Sequence, residues 1–157
     1  IGLDVGSTTA KWVVVSESGE LVLSKYERHH ADVERVVNSF LGEIKQSLGE
    51  CAVSVTITGS VGMGLAERFG SPFVQEVIAA TKYVRQEHNN IATIIDIGGE
   101  GAKIVYLRPD GNAELHRNEN CYGGTGPFMD QKAMLLNVPV EAMDALAARD
   151  EHPNPIA

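Results

Sequence analysis

Hydrophobic and polar residues alternate along the first 15 positions in a pattern typical of two short strands joined by a polar turn. Apolar residues occupy positions 1, 3 and 5, and positions 12–15 form an apolar run. Between them lie a glycine, three hydroxyl residues and a lysine, in the order Asp4-Val5-Gly6-Ser7-Thr8-Thr9-Ala10-Lys11. The pattern predicts a β-hairpin with a polar tip.

The residue types in this turn suit a phosphate ligand. Gly6 lets the backbone approach a ligand closely or adopt a positive φ. The hydroxyl and amide groups of residues 7–9 are the ingredients of a phosphate cradle. Lys11 can bring a positive charge to a phosphate, and Asp4 can hold a metal ion through water. An ordinary hairpin with a polar tip explains the same residues, and the hairpin alone does not decide between the two interpretations.

A second stretch repeats the pattern about 90 residues later. An apolar strand again ends in an aspartate, a hydrophobic residue and glycine, in the order Ile94-Ile95-Asp96-Ile97-Gly98-Gly99. Residues 102–107 follow as the returning strand. Two such hairpins predict two similar lobes, and phosphates held between the two turns would explain both.

The sequence between the hairpins completes a first lobe. Its periodicity predicts a third strand over residues 21–27, a helix over 32–48, strands over 51–57 and 72–75, and helices over 65–69 and 77–88. Asp32 is suited to cap the first helix and Gly49 to end it. The glycine-rich residues 58–64 predict either a loop in close approach to a ligand or a flexible turn. The predicted order of elements in residues 1–90 is βββαβαβα, and we interpret these residues as the first lobe.

The remaining residues, 91–157, predict the start of a second lobe. Strands are expected over 91–97, 102–107 and 113–117, followed by a glycine-rich loop with Cys121 and helices from Thr125 and over 140–148. We expect this lobe to be truncated at Ala157, and we expect residues to be missing before Ile1 because no methionine precedes it.

Composition excludes several classes of function. The formal charge of −8, without a basic cluster, argues against a nucleic-acid surface. No apolar run approaches the ~20 residues that cross a bilayer, and we expect no secretory signal because the given residues show no signal-peptide pattern. Two cysteines make no disulfide framework, so the cytoplasm is the expected location. Cys51 is expected to be a small core or strand-end residue, and His29 and His30 are expected on the surface.

The two hairpins resemble the phosphate-1 and phosphate-2 loops of the actin, sugar-kinase and heat-shock-protein ATPase superfamily. The interval from Asp4 to Lys11 is similar to that in the first phosphate hairpin of actin. The resemblance implies an α/β, ribonuclease-H-like (actin-like ATPase) fold, with one complete lobe and the first half of a second.

Three motifs in order resemble a narrower family, the activators (activases) of 2-hydroxyacyl-CoA dehydratases and their relatives around benzoyl-CoA reductase. The motifs are residues 1–9, residues 95–103 and Asn120-Cys121-x-Gly-Gly-Thr-Gly. The resemblance implies a homodimer with one [4Fe–4S] cluster between subunits. It also implies ATP and Mg²⁺ between the lobes, and ATP hydrolysis coupled to single-electron transfer to a CoA-thioester dehydratase or reductase. Cys121 matches the first cluster cysteine, and the second would lie beyond Ala157; a spare thiol is the alternative for Cys121.

Under this interpretation each candidate residue has a role. The catalytic residues are Asp4, Asp96 and Glu100, and the nucleotide-binding residues are Gly6, Ser7, Thr8, Thr9, Lys11, Gly98 and Gly99. The cysteine loop would place the cluster at the positive end of a helix dipole. We expect the chain alone to bind ATP weakly or not at all.

The sequence departs from the family pattern at a few positions. The family usually reads Asp-Ile-Gly-Gly-Gln-Asp, whereas Glu100 and Gly101 stand here. Where the family usually reads Glu-x-x-x-His-Ala, this chain has Ala80 in place of the histidine. These departures, together with Tyr122 and Gly123 in the cysteine loop, resemble the sequences of long activase relatives in which the module is duplicated. The alternatives are a small-molecule kinase of the amino-sugar type and a non-catalytic nucleotide-binding module, which the departures favour.

Overall fold

The computed structural model describes residues 1–99, 101–117 and 126–151. The strands are β1 (Gly2–Val5), β2 (Thr9–Val15), β3 (Leu21–Arg28), β4 (Thr56–Thr58), β5 (Thr93–Ile97), β6 (Ala102–Leu107) and β7 (Ala113–Arg117). The helices are α1 (Val33–Leu48), α2 (Gly62–Phe69), α3 (Glu76–Glu87), α4 (Gly126–Leu135) and α5 (Met143–Ala147), with a 3₁₀ turn over Val140–Ala142.

The first sheet places β1 at its centre. The strand order is β3-β2-β1-β4, with β1 antiparallel to β2 and parallel to β4. In this register Asp4 lies opposite Lys11 on one side and Thr58 on the other. The carboxylate of Asp4 is therefore held at the end of a strand that is paired on both edges.

Helix α1 covers this sheet with one apolar face. Val36, Val37, Phe40 and Ile44 are buried, as the helical periodicity predicts. The ring of Phe40 meets that of Trp12 edge to face, with centroids 5.5 Å apart. Asp32 caps the helix because its carboxylate accepts the amide N–H of Arg35 at 3.1 Å. The predicted helix and its cap are confirmed.

The two strands after α1 are shorter than predicted. The strand expected over 51–57 is limited to β4, because β1 offers only residues 2–4 as parallel partners. Cys51 is exposed and lies before β4 begins, so its prediction as a small core or strand-end residue was wrong. The strand expected over 72–75 is reduced to one parallel bridge between Ile57 and Phe73.

The later strands form a second sheet of order β5-β6-β7. Strands β6 and β7 have the predicted limits, whereas β5 begins two residues later than predicted, at Thr93. The chain divides into two compact units, one of Ile1–Ile94 and Val105–Glu114 and the other of Ile95–Ile104 and Leu115–Ala157. The predicted division at residue 90 stays a prediction. Among the described residues, every helix is too short or too polar to cross a lipid bilayer.

Candidate functional site

The first hairpin holds an ion pair at its polar tip. Lys11 donates from Nζ to Oδ2 of Asp4 at 2.8 Å, directly across the antiparallel pair. The turn is closed by the amide N–H of Gly6, which donates to the carbonyl of Thr9 at 2.9 Å. Ser7 is half-buried and Thr8 is exposed. The hairpin thus presents a carboxylate, an ammonium group and a hydroxyl-rich turn at one end of the sheet.

The charge on Lys11 is stabilised by its surroundings. Partial burial acts to lower the pKa of Lys11, but the hydrogen bond and the charge of Asp4 outweigh it, with smaller contributions from Glu76 and Tyr26. The pKa of Lys11 is therefore raised above its ordinary value. A lysine that stays charged beside a carboxylate can still direct its other ammonium hydrogens to a phosphate.

The second carboxylate oxygen of Asp4 is buried and finds no hydrogen-bond partner among the described residues. Gly59 approaches it closely, since an added Cβ would stand 2.5 Å from Oδ1 of Asp4 and 2.3 Å from the carbonyl oxygen of Val5. With a φ of +95°, Gly59 also adopts a conformation that suits glycine. The glycine-rich loop therefore makes a close approach to the chain's own strand.

An unpartnered carboxylate oxygen fits a hydrated cation. Mg²⁺ prefers oxygen ligands and keeps several waters, so a carboxylate that reaches it through water is an ordinary arrangement. A buried acceptor without a partner is destabilised by about 1–3 kcal/mol, and a water molecule or cation beside Asp4 would relieve that penalty. The residues of the first hairpin thus fit Mg²⁺ at Asp4.

His29, which follows β3, also contacts this hairpin, and its prediction as a surface residue was wrong. Its side chain is only 3% exposed, and among the described residues it is the only buried polar one. Its Nε2 lies 3.0 Å from the carbonyl oxygen of Gly6, and its Nδ1 accepts the amide N–H of Ala31 at 3.1 Å. His30, in contrast, is exposed as predicted.

The second hairpin repeats the contacts of the first. Lys103 donates from Nζ to Oδ2 of Asp96 at 3.2 Å, again across seven residues. The amide of Gly98 donates to the carbonyl of Gly101 at 2.9 Å, as that of Gly6 does to Thr9. The two segments share the sequence Asp-x-Gly-x-x-x-Ala-Lys, so a common local geometry follows from a common sequence.

Several predicted site residues lie outside the part of the chain that the structure describes. They are Glu100 and Cys121, and the predicted helix cap Thr125 lies there as well. Gly99 is described and is half-buried. Within residues 1–99, 101–117 and 126–151, no three histidine, cysteine or acidic side chains come together in a way that could hold a metal ion.

Two residues that contact the hairpin turns or their aspartates, Lys103 and His29, were missed in the sequence. Lys103 could have been found, because the shared Asp-x-Gly-x-x-x-Ala-Lys pattern places it where Lys11 stands. His29 carries no comparable signal, since its contacts with Gly6 depend on how the chain turns after β3.

The fold and the paired aspartate hairpins define a class of protein. The fold is the ribonuclease-H-like fold of the actin-like ATPases and sugar kinases, as expected from the two hairpins. Within that class the chain belongs to the BadF/BadG/BcrA/BcrD ATPase family, whose model matches residues 1–157. The family resemblance stated from the motifs is confirmed.

Several relatives are named as dehydratase activators. The (R)-2-hydroxyglutaryl-CoA dehydratase activating ATPase of Acidaminococcus fermentans is 23% identical over 150 residues, or 95% of this chain and 58% of that protein. Its solved structure, component A of that dehydratase, has a TM-score of 0.81 at 23% identity and covers 99% of this chain and 61% of its own.

A second solved structure contains a nucleotide. The activator of 2-hydroxyisocaproyl-CoA dehydratase from Clostridium difficile, with bound ADPNP, has a TM-score of 0.76 and is 27% identical. The match covers 99% of this chain and 59% of that one. The chain thus spans less than two thirds of the length of these relatives.

Proposed function

We propose that the protein is an ATP-dependent activator that couples ATP hydrolysis to the transfer of one electron to a CoA-thioester dehydratase or reductase. The observation that carries the nucleotide part is the repeated hairpin, with the same ion pair at 2.8 Å and at 3.2 Å. Membership of an ATPase family and the names of its relatives support the rest.

In this proposal both hairpins contact the phosphates of one nucleotide. Lys11 and Lys103 donate to phosphate oxygens while remaining paired with their aspartates. The backbone amides of Ser7, Thr8 and Gly99 offer further donors, whereas those of Gly6 and Gly98 are bonded within their own turns. Asp4 and Asp96 would hold Mg²⁺ through water, and the ion would supply positive charge that neutralises the charge developing on the phosphate oxygens. The chain itself would contribute mainly positioning and charge neutralisation.

The water that attacks the terminal phosphate needs a group to orient it, and we assign that role to Glu100. Its neighbour Gly101 stands where the family usually has an aspartate. An added Cβ at Gly101 would meet nothing within 4 Å among the described residues, so the backbone there leaves room for the first carbon of a side chain. The absence of that carboxylate favours a second candidate function, a module that binds ATP without hydrolysing it.

The electron-transfer part of the proposal rests on Cys121 and on the family resemblance. We propose that Cys121 of each subunit in a homodimer binds a [4Fe–4S] cluster, which would supply a low-potential electron. The matched control is Cys51, an exposed free thiol. Anaerobic reconstitution of the full-length protein with iron and sulfide should give visible charge-transfer absorption that Cys121→Ser removes and Cys51→Ser retains. Equal absorption in Cys121→Ser would contradict this role.

Turnover of ATP separates the two candidate functions. Calorimetry and phosphate release with the full-length protein should show both binding and hydrolysis of Mg·ATP. Binding without phosphate release would favour the non-catalytic module, and Gly101→Asp is then expected to raise hydrolysis. Absence of binding in the full-length protein would contradict both functions.

A further inference from the structure

We propose that His29 is a positioning residue that fixes the orientation of the first hairpin's turn for a phosphate ligand. The inference deepens the proposed function and rests on it for the identity of the ligand. The contact between His29 and the turn is observed in the chain itself and does not depend on the proposed function.

The hydrogen bonds of the imidazole determine where its proton lies. Nδ1 accepts the amide N–H of Ala31 at 3.1 Å, so Nδ1 carries no hydrogen in this arrangement. We therefore assign the proton to Nε2, which donates to the carbonyl oxygen of Gly6 at 3.0 Å. The ring is a neutral bridge between the β3–α1 connection and the turn.

The backbone of His29 reinforces the same bridge. Its amide N–H donates to the carbonyl of Thr8 at 3.2 Å, and its carbonyl accepts the amide of Asp32 at 2.8 Å. His29 thus contacts the turn at two carbonyls, those of Gly6 and Thr8, and connects it to the cap of α1.

The local backbone is shaped to make this contact. His30 and Ala31 both adopt positive φ values, 48° and 66°, a conformation that side-chain-bearing residues seldom take. The two left-handed residues form the tight turn in which the amide of Ala31 meets Nδ1. Such strain persists where surrounding contacts determine the geometry, and it is common at ligand sites.

The contact with His29 fixes the direction of the peptide group that joins Gly6 to Ser7. The N–H of Gly6 is bonded to Thr9 and its carbonyl to His29, so both peptide groups that flank Gly6 are fixed in direction. The amide of Ser7 shares a peptide plane with the carbonyl of Gly6. Holding that carbonyl therefore orients the Ser7 N–H, which is one of the donors proposed for phosphate.

Two isosteric substitutions separate the two hydrogen bonds of the ring. In His29→Gln the amide nitrogen can take the place of Nε2 and donate to Gly6. In His29→Asn the shorter side chain can accept from Ala31, as Nδ1 does, but it cannot reach Gly6. His30→Gln, at the exposed neighbour, is the matched control.

Two measurements on the full-length protein test the role. The first is hydrogen exchange of the peptide that covers the turn, without nucleotide, and the second is calorimetric affinity for Mg·ATP. His29→Asn should speed exchange and weaken affinity about tenfold, because the half-buried carbonyl of Gly6 loses its donor. His29→Gln should restore both to near wild-type values, and His30→Gln should change neither. Unfolding in urea verifies that the variants compared are folded.

The outcomes distinguish this inference from the proposed function. Unchanged exchange in His29→Asn, or equal defects in the Asn and Gln variants at equal stability, would overturn the inference. Faster exchange with unchanged affinity would also overturn it, since the turn would then not serve the ligand. If the wild-type protein binds no Mg·ATP, the proposed function fails, and with it the phosphate role; exchange still decides whether His29 holds the turn.

Discussion

The two hairpins make the same contacts in different surroundings. Asp4 and Asp96 each pair with a lysine seven residues later, yet Val5 is fully buried whereas Ile97, at the matching position, is 53% exposed. The difference follows from the sheets. Strand β1 is paired on both edges beneath α1, whereas β5 lies at the edge of the three-stranded sheet that the described residues form. Local sequence thus determines the ion pair, and neighbouring elements determine how far the adjoining apolar residue is buried.

The carbonyl of the first glycine shows the same contrast. In the first hairpin the carbonyl oxygen of Gly6 accepts a hydrogen bond from Nε2 of His29 at 3.0 Å. In the second hairpin the carbonyl oxygen of Gly98 accepts a hydrogen bond from the backbone N–H of Gly126, at the start of α4, at 2.9 Å. One turn is fixed by a side chain and the other by a helix terminus, so only the first can be released by changing a side chain.

The largest expected effect is on hydrolysis. Asp4→Asn and Asp96→Asn should each lower kcat for ATP at least about 100-fold, because each removes a charge that orients the hydrated cation. Steady-state phosphate release by the full-length protein measures the effect. Asp144→Asn, at an exposed aspartate of α5, should leave kcat unchanged. A large loss at only one of the two aspartates would show that the hairpins are not functionally equivalent.

The next effect is on stability, and it should differ between the hairpins. Val5→Ala should lower the free energy of unfolding by about 1.5–3 kcal/mol, because the side chain is fully buried. Ile97→Ala should change it by less than about 0.5 kcal/mol, as exposed positions usually do. Urea unfolding monitored by circular dichroism gives both values. Similar losses at the two positions would mean that Ile97 is covered in solution.

The lysines test equivalence in binding. Lys11→Met and Lys103→Met should each weaken Mg·ATP affinity about tenfold, since a charged hydrogen bond to phosphate is lost. Lys45→Met, on the exposed side of α1, is the control. Calorimetry at fixed ionic strength measures the three constants. If Lys103→Met binds as the wild type does, the second lysine serves only to hold Asp96.

The smallest effect concerns pH. Because the pKa of Lys11 is raised in the folded chain, its pairing with Asp4 stabilises the fold fully below the ordinary value of 10.5. That contribution is lost as pH rises through the higher folded value. The stability difference between wild type and Lys11→Met should therefore be constant near neutral pH and decline in the alkaline range. Unfolding curves at a series of pH values test this, and a difference that grows with pH would contradict it.

The parts of the fold that were predictable are those determined by local sequence. The hairpin over residues 1–15 and helix α1 each bury one face, and the spacing of apolar residues within each segment predicts that face. The length of β4 depends on how many residues β1 offers it, and the burial of His29 depends on a left-handed turn at His30 and Ala31. Both are tertiary facts, so no single stretch of sequence contains them.

A crystal structure of the full-length protein with Mg²⁺ and a non-hydrolysable ATP analogue tests the central claim most directly. We expect phosphate oxygens within about 3 Å of Nζ of both Lys11 and Lys103, with the cation's water ligands bonded to Asp4 and Asp96. A nucleotide bound to only one hairpin, or away from both, would contradict the claim that the two hairpins serve a single triphosphate.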